Sequence, residues 1–406
     1  MLVPGLLSRC RCLPLPPKFA RILLLTCLLP CAAARADPPV PALNTISSQQ
    51  VAEQIEQLGA ADFAEREAAM QRLEQTGRPA LPQLRRALSN PSLEIRYRSR
   101  TLIDQILRDD HAHRVSLLLQ QGEAADSSLL PGLKRFREQV GNDPAALQIF
   151  AEMQLSAPDL MLTLAGLENQ PVPHSAAAAA ELQFEQYLAE MRYTWQSQKG
   201  KTRELTPLYV ALFAAAEPGR KMSPQLAGML SGHVNATEFR TVMEKAKSED
   251  VPVRLLAAWI ATEDDANSYQ KLTLAMRYQL REGLLPAIEL LKNPANGSMT
   301  QAALLTVARF GDRSHLPLVE KLLADETVLN SSRNRERVVW TIQTRDVALV
   351  AAIHLCGEKP EEFGFTKLQK HPMYLYQYST AGFTSETLRA VSFARWAEYR
   401  SKHPDQ

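Results

Sequence analysis

Asp109, Asp110, His111 and His113 form the densest group of potential metal ligands in the 406-residue chain. Carboxylates and imidazoles are suitable donors for zinc and similar ions. The spacing works against them. Residues two apart on a helix point in different directions, so His111 and His113 can share an ion only where the chain is irregular. The pattern His-Glu-x-x-His and paired Cys-x-x-Cys units do not occur. A Gly-x-Ser-x-Gly nucleophile elbow and a Gly-rich phosphate loop do not occur either. The expectation is a non-enzymatic protein with no cofactor, no metal and no catalytic residue.

Four of the five cysteines fall within residues 1–36, which leaves Cys356 alone beyond them. Leu349, Ile353 and Cys356 share one helical face, so Cys356 reads as a packing residue. The aromatic tail is more distinctive. Phe363, Phe365, Phe383, Phe393 and Tyr399 accompany Tyr374, Tyr376, Tyr378 and Trp396 in a chain that is only 6% aromatic. Tyr374, Tyr376 and Tyr378 alternate at period two, which predicts an extended stretch. Such a tail serves either as a cap over the last apolar layer or as an aromatic surface for a peptide or glycan. Tyr374, Tyr376, Tyr378 and Trp396 are therefore the candidate binding residues.

The elements that position these residues announce themselves by repetition. Leu285-Pro286-Ala287-Ile288-Glu289-Leu290-Leu291 is echoed by Leu316-Pro317-Leu318-Val319-Glu320-Lys321-Leu322, 31 residues later, and its opening occurs upstream at Leu81-Pro82-Gln83-Leu84. Asp62 to Leu73 matches Ser92 to Ile103 at an offset of 30, pairing Phe63 with Leu93 and Arg66 with Arg96. Asp62 and Ser92 are natural N-caps, Gly77 a C-cap, and Pro79 and Pro82 sit where a helix begins without losing an internal bond. The unit is a helix, a short turn and a second antiparallel helix. Neither helix buries its apolar stripe alone, so each pair must stack on the next.

Arg66, Arg96 and Arg254 recur at equivalent places, with Arg345 near the corresponding place in a fourth unit. Planar multi-donor guanidinium groups suit a structural ladder between units. Between residues 129 and 249 the repeat fades, although helices are expected over 145–153, 176–191, 205–216, 224–230 and 236–247.

At the N-terminus, Arg9, Arg11, Lys18 and Arg21 precede the apolar run Ile22 to Leu29, and Ala34-Arg35-Ala36 supplies the small residues of a signal-peptidase site. The run is far shorter than the roughly 20 residues that span a bilayer. Cleavage is expected before Asp37, leaving no membrane span. It removes five basic residues, so the formal charge moves from +2 to about −3. The remaining chain has no basic cluster of the kind nucleic acids attract.

The predicted organisation is a signal peptide over 1–36, a Pro-rich leader over 37–46, HEAT-like helices over 47–128, a divergent helical middle over 129–249, further HEAT-like repeats over 250–359 and an aromatic cap over 360–406. Ile95-Arg96, Val253-Arg254, the Gly311-Asp312 turn and the Leu-Pro-x-(Leu/Ile/Val) openings resemble HEAT repeats of the short bacterial type. The whole layout is similar to exported HEAT-repeat (armadillo-like) proteins of planctomycete-type bacteria. That resemblance implies an all-α fold, a HEAT-like α-solenoid of antiparallel helix pairs, and it supplies no activity. The expected role is a periplasmic or extracellular scaffold that binds a protein or peptide partner. The rival expectations are an enzyme with its site in the middle region and a purely structural envelope component.

Overall fold

The computed structural model describes residues 47–167, 174–197, 203–263, 268–294, 297–333 and 339–403. The expected signal peptide and leader lie outside these residues. The described chain is mostly helical.

The N-terminal part comprises α1 (Ser48–Gln57), α2 (Phe63–Thr76), α3 (Leu81–Ala87) and α4 (Leu93–Gln121). Its caps follow from the sequence. The Ser47 hydroxyl and the Gln50 side chain form a reciprocal capping box, Asp62 accepts from the Ala64 amide, and Ser92 accepts from the Ile95 amide. Gly77 closes α2 at φ +66°, a left-handed conformation that favours glycine. Helix α1 packs on α2 and α3 on α4.

The middle comprises α5 (Leu133–Gln139), α6 (Pro144–Ser156), α7 (Pro158–Leu167), α8 (His174–Ser197), α9 (Thr206–Ala215), α10 (Pro224–Val234) and α11 (Thr237–Lys245). Each of the five helices expected between 129 and 249 falls on one of these. Then come α12 (Val251–Ile260), α13 (Ser268–Tyr278), α14 (Leu284–Lys292), α15 (Gly297–Phe310), α16 (Leu316–Glu320), α17 (Thr344–Leu355) and α18 (Glu386–Lys402). Helix neighbours succeed one another from α4 to α6, α9, α12, α13, α15 and α17.

Two apolar clusters form the interior. One gathers residues between Val51 and Ile106, the other residues between Val115 and Trp396. Helix α4 belongs to both: Leu102 and Ile106 enter the first, Val115 and Leu118 the second. At 29 residues, its length is about 43 Å at ~1.5 Å per residue.

Four short strands interrupt the mostly helical chain. Strand β1 (Val328–Arg333) pairs antiparallel with β2 (Val339–Gln343), placing Asn330 opposite Ile342 and Ser331 opposite Thr341. Thr341 also exchanges backbone hydrogen bonds of 3.0 and 3.1 Å with Phe383. This hairpin sits within the stretch expected to continue the helical repeats. The run Val339-Trp340-Thr341-Ile342 is β-branched and aromatic, the composition that favours a pleated surface. The second pair, β3 (Lys370–His371) and β4 (Leu375–Tyr376), is also antiparallel.

A buried ion pair ties the tail to this scaffold. Arg389 of α18 donates from Nε to Asp346 Oδ1 at 2.8 Å and from Nη2 to Oδ2 at 3.2 Å, with side-chain exposures of 3% and 0%. Asp346 Oδ2 also accepts from the Gln343 amide at 2.9 Å, and Arg389 Nη2 donates to the Thr341 carbonyl at 3.1 Å. Helix α17, strand β2 and helix α18 thus share one polar node.

Candidate functional site

The β3–β4 hairpin and the turn after it face α13 and α15 across a groove of about 430 Å³. Tyr374, Tyr376, Tyr378, His371, Gln377 and Ser379 form one wall; Tyr269, Leu272, Thr273 and Met276 of α13, with Ser298, Gln301, Ala302, Leu305 and Thr306 of α15, form the other. Among these described lining residues there is no carboxylate, ammonium or guanidinium group. The groove combines aromatic faces with neutral amides and hydroxyls.

The hairpin wall is held by several bonds. Gln377 N donates to the Gln369 carbonyl at 2.8 Å, Gln369 N to Thr380 Oγ1 at 2.9 Å, and Trp340 Nε1 to the Ser379 carbonyl at 3.0 Å. His371 Nδ1 accepts from the amides of Met373 and Tyr374 at 3.2 and 3.1 Å, and its ring lies 5.0 Å from that of Tyr374. The chain reverses through Pro372, Met373 and Tyr374, and Leu375 follows at φ +67°. A branched residue in this region is strained, and such strain persists only where the surroundings over-determine it.

Tyr376 points inward. Its ring meets His354 edge-on at 5.7 Å, and its hydroxyl lies 3.2 Å from His354 Nδ1. Burial pushes the Tyr376 phenol up, with Glu361 adding to the effect. Burial likewise holds His354 below the ordinary imidazole value, helped by Arg309 and Lys370. Both groups are therefore uncharged near neutral pH.

The period-two reading of the tyrosines is met at Tyr376 in β4, whereas Tyr378 begins a single 3-10 turn, Tyr378–Thr380. All three tyrosines reach the groove. Trp396 does not: it is buried in α18 against Phe363 and Tyr399, at ring distances of 5.9 and 5.5 Å. The opposing wall from α13 and α15 carried no distinguishing signal, because its Leu272–Met276 spacing is that of any buried helix face.

Past the hairpin tip the groove adjoins a second cleft of about 660 Å³, lined by Met373, Tyr278 and Gln279 and by the basic residues Arg240, Lys247 and Arg277, with Glu244 the one described carboxylate. Met276 faces the tyrosine groove while Arg277 and Tyr278 face this cleft, so α13 and the hairpin tip border both.

The four repeated arginines do different things. Arg66 Nη1 donates to the Ala60 and Ala61 carbonyls at 2.7 and 2.9 Å; Arg96 Nη1 donates to Asn90 and Pro91 at the same two distances. Each staples the turn before its own helix, and Arg66 Nε also approaches Glu94 at 3.6 Å. Arg254 instead reaches Asp143, the N-cap of α6, at 2.6 Å. Arg345 binds Glu326, Glu386 and Gln343 at 2.7, 3.1 and 2.6 Å.

The acidic-histidine cluster is dispersed among protein partners. Asp110 pairs with Arg78 at 3.2 Å and Arg114 at 3.0 Å, Asp109 accepts from Gln105 at 2.9 Å, and His111 Nε2 lies 3.1 Å from the Gln154 carbonyl. Among the described residues no three His, Cys, Asp or Glu side chains converge on a metal position. Cys356 is buried, and burial pushes its thiol up. No helix among the described residues is long and apolar enough to cross a membrane. Comparison with protein-family models, with curated proteins and with solved structures gives no match to this chain.

Proposed function

We propose that this protein is an exported, HEAT-like α-solenoid scaffold that binds a protein partner by taking an extended peptide segment into the tyrosine-lined groove. The matched Arg66 and Arg96 staples, 30 residues apart, and the succession of helix neighbours from α4 to α17 support the repeat architecture. Such a stack offers a long surface for partners.

The observation that carries the binding reading is the groove itself. Aromatic walls fixed by a hairpin favour an extended or polyproline ligand, which loses little freedom on binding. Neutral amides and hydroxyls at Gln301, Gln377, Thr273 and Ser379 match the donors and acceptors of a peptide backbone. The basic cleft beyond Met373 suits an acidic flank, and charge there steers approach.

An array of immobilised peptides, varying proline and aromatic content and the sign of the flanking charge, tests this reading with the mature protein. Preferential binding of proline- or aromatic-containing peptides with acidic flanks, abolished in the Tyr374→Ala/Tyr378→Ala variant, is expected. Binding that ignores peptide composition, or survives loss of both tyrosines, contradicts it.

A further inference from the structure

Helix α4 carries one seam that is covered in its second half and open in its first. Leu93, Tyr97, Arg100, Asp104, Leu107 and His111 follow one another at alternating steps of four and three residues, which places them along one face. From His111 onward the chain covers that side itself: His111 Nε2 lies 3.1 Å from the Gln154 carbonyl of α6, and Val115 and Leu118 enter the second apolar cluster. Before it, Leu93, Tyr97 and Leu107 are 72, 68 and 40% exposed, over about 21 Å of helix at ~1.5 Å per residue. Phe63, the counterpart of Leu93 one repeat earlier, is exposed as well. We propose that the open half of the seam is the interface between two copies of this chain, their α4 helices packed antiparallel about a two-fold axis level with Leu102.

The order of the residues selects a second copy as the occupant. Turned end for end about that level, the seam meets itself: Tyr97 faces Leu107 of the second copy, Arg100 faces its Asp104, and each contact occurs twice. Such self-complementarity is what an isologous two-fold contact requires. Leu93 of the second copy comes level with His111, where α6 takes over the covering, so the two helices fill the open half and end there. A parallel pair in register sets Arg100 on Arg100 and Asp104 on Asp104, and like charges at those points oppose it.

The two central charges are free for this role. Their neighbours are engaged: Arg98 pairs with Glu67 and Glu94 at 2.7 and 2.6 Å, and Asp110 with Arg78 and Arg114 at 3.2 and 3.0 Å. Arg100 and Asp104 are exposed and enter no ion pair among the described residues. A polar pair at the centre of an apolar seam fixes the register at some cost in strength. The seam is also short beside the ~800 Å² per partner of a standard stable interface. Association in the micromolar range is therefore expected.

Sedimentation equilibrium of the protein at rising concentration tests the interface. A monomer–dimer equilibrium is expected. Arg100→Asp and Asp104→Arg each replace two attractive contacts per dimer with two repulsive ones, and each is expected to weaken association at least about ten-fold. Mixed in equal amounts, the two variants are expected to recover a one-to-one dimer, because every reversed charge then faces its opposite. Tyr97→Ala weakens association without touching the charges. Thermal melts matching the unsubstituted chain establish that the variants are folded, and Arg100→Glu and Asp104→Lys replace either one that melts early. The Tyr374→Ala/Tyr378→Ala variant is expected to dimerise like the unsubstituted chain, which separates this face from the groove. A chain that stays monomeric up to about 0.5 mM leaves the seam to a different partner and overturns the proposal. So does a dimer that either folded charge variant leaves intact, or a mixture of the two that fails to associate.

Discussion

The hydroxyl of Tyr376 lies 3.2 Å from Nδ1 of His354, so a tyrosine of the groove rests on a half-buried imidazole of α17. The contact joins hairpin and scaffold through a titratable group.

Burial lowers the folded-state pKa of His354 from 6.5, so the folded chain binds fewer protons there than the unfolded chain does. The contribution is fully present above that unfolded value and is lost as pH falls through the lower folded one. His233, also lowered by burial, acts in the same direction. Urea denaturation as a function of pH is expected to show stability falling on acidification below about pH 6.5. His354→Gln flattens that slope; an unchanged slope rejects the assignment.

The Asp346–Arg389 pair predicts a second outcome. Removing one partner strands the other charge away from water, which typically costs about 3–5 kcal/mol. Arg389→Ala is therefore expected to lower the urea midpoint strongly, and Asp346→Asn to do so as well. The double variant is expected to lose less than the sum of the two. Additive losses would mean that the pair is not coupled.

Much of the helical layout is legible in the sequence. The caps at Asp62, Ser92 and Gly77 and the spacing of apolar residues located α2 and α4, because those signals are local. The β1–β2 hairpin escaped because it interrupts a repeated pattern: Leu316-Pro317 starts a helix like its earlier copy, but regular α-helix ends at Glu320 and the chain turns to strand at Val328. The tyrosines of the groove were legible as an aromatic cluster. Their partners on α13 and α15 were not, since a groove wall made of ordinary helix-face residues appears only on packing. Trp396 shows the converse: aromatic type marked it as a binding candidate, yet it fills the interior beside Phe363.

Asp143 caps α6 and also holds Arg254, and that guanidinium keeps its carboxyl below the ordinary value. The lowered folded pKa means a contribution that is present above 3.8, the unfolded value, and is lost as pH falls through the folded one. Asp143→Ala is expected to cost about 0.5–2 kcal/mol through the lost cap. Asp143→Asn retains the cap and costs less. Equal losses in guanidinium denaturation would assign the whole effect to the ion pair.

The N-terminal pattern predicts processing. When the full chain is produced in a Gram-negative host, N-terminal sequencing of the exported product is expected to begin at Asp37. Retention of the chain with Met1 in the cytoplasm contradicts that expectation.

The most direct test of the binding account is tyrosine-selective ¹³C NMR of the protein titrated with a peptide chosen from the array. Tyr374 and Tyr378 are expected to shift progressively and saturate, while the exposed Tyr97 and Tyr193, which do not line the groove, stay in place. Saturable binding that leaves the Tyr374 and Tyr378 resonances unmoved would contradict the account.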